Sequence, residues 1–68
     1  MAMEYFDYAP VAKEAGIAGE KLRRLEEIVR RDYPDDRMLF ELHVLRACNA
    51  IRDGRITYEQ AVSEATRA

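Results

Sequence analysis

The sequence predicts an all-α fold, a compact bundle of about four helices near residues 8–15, 19–32, 36–53 and 58–67. Three observations carry this expectation. Apolar residues recur at helical spacing through most of the chain. Gly16, Pro34 and Gly54 fall between the periodic stretches, where breakers end helices. No stretch alternates apolar and polar residues with β-branched enrichment, the pattern of a half-buried strand. With 68 residues the chain makes one domain. That is below the roughly 70–80 residues at which a single core gives comfortable stability, so a second copy is an expected partner.

The first segment is short. Asp7 is placed to cap it, and Pro10 falls in its first turn, where a missing N–H is harmless. Gly16 supplies a left-handed residue to end it, and Ile17 is placed to pack back on Val11 or Ala12. In the second segment Leu22, Leu25, Ile28 and Val29 form one apolar stripe. Glu20 with Arg24, Glu26 with Arg30, and Glu27 with Arg31 are four apart, acid first. Such pairs are worth about 0.2–0.5 kcal/mol each and mark a solvated face.

Pro34 stops the second helix, and Asp35 or Asp36 starts the third. The third helix carries Met38, Leu39, Phe40, Leu42, Val44, Leu45, Ala47, Cys48, Ala50 and Ile51, over more than half its circumference. A helix that apolar is central, or faces both its own core and a partner. Gly54 ends it. Thr57 and Gln60 then match a capping box, with Ile56 and Ala61 as its apolar staple. Tyr58, Ala61, Val62 and Ala65 share one face of this last helix, which is expected to fold back on the third as an antiparallel hairpin.

Residues 11–25, VAKEAGIAGEKLRRL, allow two readings. Val11, Ala15, Ala18, Leu22, Leu25 and Val29 have the spacing of one continuous packed seam. A continuous helix would carry Gly16 and Gly19 inside it, at about 1 kcal/mol each. A break between Gly16 and Gly19 is therefore favoured. In the broken form the segment resembles the helix-turn-helix of bacterial transcription regulators. Val11 and Ala12 stand where that motif has an apolar and a small residue, Ala15 and Gly16 where it turns, and Ile17, Leu22 and Leu25 where it anchors its second helix. The resemblance implies a DNA-binding regulator whose second helix enters a major groove. Lys21, Arg23 and Arg24 would then be the DNA-binding residues, flanked by Gly19, Glu20 and Glu27. The chain departs from the family at Ala18, where a capping Ser or Thr is usual, in the length of its second helix, and in placing Glu20, Glu26 and Glu27 near the phosphates.

Charge agrees locally only. Residues 11–31 hold six Lys/Arg and four Glu, a net of +2, while the whole chain is −2. No global basic field is present. Cys48 is the only cysteine, so no internal disulfide forms, which fits a reducing interior. The N-terminus lacks a basic region followed by an apolar one, and no apolar run nears the roughly 18 residues that span a bilayer. The expected place is the cytoplasm, with no membrane partner.

Catalytic chemistry is not expected. His43 and Cys48 lie five apart, and metal sites on helices need more ligands at three or four. Ser63 is the only serine, and no Gly-rich phosphate loop is present. No cofactor is implied. The competing function is a protein-interaction module, antitoxin-like or an adaptor. It would bind through the aromatic arm Tyr5, Phe6 and Tyr8 and through Leu39, Phe40 and His43 of the third helix. The same surface would serve a homodimer. The arm has a plainer use too, covering the chain's own small core. Arg23 and Arg24 discriminate: a DNA reader needs them exposed and not tied to Glu20 and Glu27.

Overall fold

Local chemistry sets most of the helix ends among the described residues. The computed structural model describes residues 5–67, with side chains through 63. Among these residues there are four helices and no strand: α1 (Ala9–Glu14), α2 (Glu20–Asp32), α3 (Arg37–Arg52) and α4 (Tyr58–Arg67). The all-α bundle is as expected.

Helix α1 begins one residue later than expected, and Asp7 is not its cap. Tyr8 holds the N-cap position without a side-chain bond. The Asp7 carboxylate instead accepts the Ala9 N–H at 3.3 Å, one residue early. Pro10 lies in the first turn. The helix closes with two bonds, Ile17 N–H to the Ala12 carbonyl at 2.8 Å and Gly16 N–H to that of Lys13 at 3.1 Å. That closure needs a left-handed residue, and Gly16 has φ +76°. Ile17 turns inward and is buried.

The break is therefore real. Ala18, which a continuous seam would bury, is exposed. Gly19 is the N-cap of α2 at φ 58°, ψ −122°, a region essentially reserved for glycine. Ala18 is thus not the capping position that the sequence suggested.

None of the three acid-to-base pairs expected on α2 forms. Glu26 accepts the Tyr8 hydroxyl, Arg30 lies 4.6 Å over the Phe40 ring, and Glu20 meets Arg23 at 3.7 Å. A few tenths of a kcal/mol per exposed pair is outweighed by a phenol–carboxylate bond and by guanidinium–ring contact.

Helix α2 stops at Asp32, before Pro34, and Asp36 caps α3 by accepting the Leu39 N–H at 3.0 Å. Helix α3 closes at Gly54 with the same pair of bonds that ends α1. The capping box forms in both directions: Thr57 Oγ1 accepts the Gln60 N–H at 3.0 Å, and Gln60 Oε1 accepts the Thr57 N–H at 2.9 Å. Helix α4 packs on α3 but leans more on α2, so the hairpin is one part of its contact. The Tyr58 hydroxyl donates to the Lys21 carbonyl at 3.0 Å. The Ala65 side chain lies outside the described residues.

Helix α3 is the hub, touched by α1, α2 and α4. Tyr8, Ala12, Ile17, Leu25, Val29, Phe40, Val44 and Cys48 form the buried core. The Tyr8 ring meets Phe40 edge-on at 6.4 Å. One residue in this apolar helix is charged and has no exposed surface: Glu41. Its Oε1 accepts the N–H groups of Tyr5 at 2.7 Å and Phe6 at 2.8 Å. Its Oε2 accepts Arg37 Nε at 2.6 Å. The arm is thereby fastened to α3 and covers the chain's own core.

Truncating Glu41 leaves Arg37 and two backbone N–H groups without this acceptor. Glu41→Ala is expected to lose about 2–4 kcal/mol of stability, and Glu41→Gln less, because its amide oxygen still accepts. Urea unfolding checks this; a loss within about 0.5 kcal/mol, the range of ordinary surface changes, would refute the anchoring role.

Candidate functional site

The first half of α2 turns one face to solvent. Leu25 is buried and Leu22 half-buried, so the helix is seated by these two side chains. Ala18, Gly19, Glu20, Lys21, Arg23, Arg24 and Glu27 are all exposed. This follows from the period: with Leu22 and Leu25 inward, positions 20, 21, 23, 24 and 27 face away.

The three expected DNA-binding residues differ in how they are held. Arg24 makes no ion pair among the described residues. Arg23 meets Glu20 at 3.7 Å, with both side chains mostly solvent-exposed, so the pair is worth little and opens easily. Lys21 leans toward α4, its Nζ 5.3 Å from the centre of the Tyr58 ring. Glu27 is exposed and not paired with Arg24 among the described residues. Glu26 is turned toward Tyr8, and Glu14 is paired with Arg52 at 3.1 Å. Two acids of residues 11–31 are thus engaged with other elements, away from the exposed face.

The expected partner surface is only partly available. Tyr8 and Phe40 are 2% exposed and belong to the core; they cannot meet a partner, because so small a core needs their aromatic area. Phe40 is further flanked by the Arg30 and Arg37 guanidiniums. Phe6 and Leu39 are half-buried. His43 is half-buried and stacked on Tyr33 at 4.5 Å. Its Nδ1–H donates to the Leu39 carbonyl at 2.8 Å, and Nε2 shares a hydrogen bond with the Tyr33 hydroxyl at 3.2 Å. Tyr5 is exposed, and so is Met38. Met38 and the anchor Glu41 were not among the expected site residues. The signal for Glu41 was present: a lone acid between Phe40 and Leu42, with Arg37 one turn before it.

Among the described residues no three of His, Cys, Asp and Glu converge to hold a metal, and no helix is long and apolar enough to cross a membrane. Comparison with family models, with characterised proteins and with solved structures returns no match.

Cys48 is fully buried. Burial first, and the Glu26 charge second, push its thiol up from 9.0 to about 11. Burial, with the hydrogen bond to Glu26, also raises the Tyr8 phenol. A raised acid favours the folded state while it stays neutral. That contribution is complete below the unfolded value and is lost as pH climbs through the folded one. Urea midpoints are therefore expected to fall between pH 9.0 and about 11, and Cys48→Ala should remove part of that fall. A fall of the same size in the variant would exclude Cys48 as a cause.

Proposed function

We propose that the protein is a small DNA-binding regulator that lays the first half of α2 in a major groove. One observation carries this reading. The residues that the helix-turn-helix resemblance assigns to the groove, Lys21, Arg23 and Arg24, lie on the exposed side of α2, while Ala12, Ile17 and Leu25 are buried. Ala18 and Gly19 are exposed at the start of α2 and have little bulk to hold a phosphate backbone away. Arg24 is the strongest candidate to read a base edge, because no acid among the described residues holds it. The chain's charge of −2 means that binding rests on this patch alone.

The test is binding to random and genomic duplexes across a salt series. Affinity should fall steeply between about 50 and 200 mM salt. Arg24→Ala should weaken binding by about tenfold and relax sequence preference, whereas Lys21→Ala should make the log–log salt slope shallower by about one. No binding at low salt would end this reading.

A second reading draws on Tyr5 and Met38, 58% and 47% exposed. Tyr5 is bonded to Glu41 and Met38 stands one turn before it on α3, so both belong to the end of α3 that holds the arm. On this reading the surface meets a second copy of the chain or another protein. Light scattering should then give a dimer mass that Met38→Glu reduces to a monomer; a monomer at high micromolar concentration would reject the homodimer.

A further inference from the structure

A shallow depression of about 300 Å³ lies where the end of α2, the middle of α3 and the start of α4 meet. Its walls are apolar: Leu25, Val29, Ala47, Ile56 and Ala61. Its polar groups are contiguous: Asp32, Tyr33 and His43. Tyr33 and His43 are occupied with each other. Their rings stack, the phenol and Nε2 share a hydrogen bond, and Nδ1–H is bound to the Leu39 carbonyl. They form a preset wall, with little hydrogen-bonding capacity left for a ligand. Asp32 differs. It is exposed and has neither a hydrogen bond nor an ion pair from its side chain among the described residues. It is also the last residue of α2, where the helix dipole places partial negative charge.

An apolar cup edged by one unpaired carboxylate at a negative helix end suits an organic cation. An anion of the same shape meets repulsion from both the carboxylate and the helix end. A neutral analogue keeps the apolar contact and loses the charge. The volume is at the lower end of the roughly 300–1,000 Å³ typical of ligand sites, which limits the apolar body to one ring or a short alkyl chain. We propose that this depression binds a small primary amine, its apolar body against Val29, Ala47 and Ala61 and its ammonium at Asp32. The site is separate from the exposed start of α2 and does not rest on the DNA-binding reading.

The test is a titration of the full chain, ¹⁵N-labelled, with phenethylammonium, 2-phenylethanol and 3-phenylpropanoate, followed by amide chemical shifts. Phenethylammonium is expected to shift the Val29, Ala47 and Ala61 amides saturably and to bind tightest of the three; the carboxylate should bind weakest. Asp32→Asn should weaken phenethylammonium by up to about fivefold, the upper end for an exposed ion pair, and leave 2-phenylethanol unchanged. Ala47→Phe, which fills the cup, should abolish binding of all three. If circular dichroism shows that Ala47→Phe does not fold, Asp32→Asn carries the test alone. Equal affinity for the three probes, no response to Asp32→Asn, or shifts that do not saturate would each overturn the proposal.

Discussion

A carboxylate without exposed surface lies near the start of α3, and the N-terminal arm is where it is because that carboxylate needs it. Taking Glu41 out of water costs several kcal/mol unless its oxygens are met by donors. Arg37 meets one oxygen, and the backbone N–H groups of Tyr5 and Phe6 meet the other. Side-chain chemistry at positions 5 and 6 is not what the anchor reads; it reads backbone. Docking the arm brings Tyr8 two residues later into the core, where its ring meets Phe40 and its hydroxyl reaches Glu26 on α2. Four consecutive residues thus tie α3, the entry to α1 and the inward side of α2 into one arrangement.

Much of the fold was legible because it is locally determined. Gly16, Asp36, Gly54, Thr57 and Gln60 act through bonds within five residues of themselves and Pro34 through its ring, and the chain punctuates where they stand. The apolar stripe of α2 was legible for the same reason, since a period needs no knowledge of what it packs against. Partner choice was not. Glu26 and Arg30 look like a pair on a helical wheel, yet each is claimed by an aromatic residue distant in sequence. Tyr8 and Phe40 look like interface residues until the smallness of the core is counted. Glu41 interrupts an apolar run with Arg37 one turn before it, but the N–H groups that meet its other oxygen come only with the arm's return over α3. Of the site, the exposed set on α2 followed from Leu22 and Leu25, but the separate situations of Lys21, Arg23 and Arg24 depend on Tyr58 and on which rotamers the acids adopt.

Helix α4 has a part in this that its position at the end of the chain conceals. Its first residue reaches α2, not only α3. The Tyr58 hydroxyl holds the Lys21 carbonyl, and its ring lies beneath the Lys21 ammonium. The first turn of α2 is therefore braced from the other end of the sequence, by the residue that follows the reciprocal cap of Thr57 and Gln60.

Gly19 bears on how this sequence can drift. Its φ of 58° with ψ of −122° is outside the pocket of conformations that asparagine and aspartate visit, so no other residue enters it without strain. A Cβ there would meet no neighbouring atom, so the bar is the backbone itself. Descendants of this chain would retain glycine at that position whatever they bind, because the fold alone demands it. Retention of Gly19 among them would be silent about function. Divergence at Lys21, Arg23 and Arg24, whose side chains project into solvent, would be the informative record.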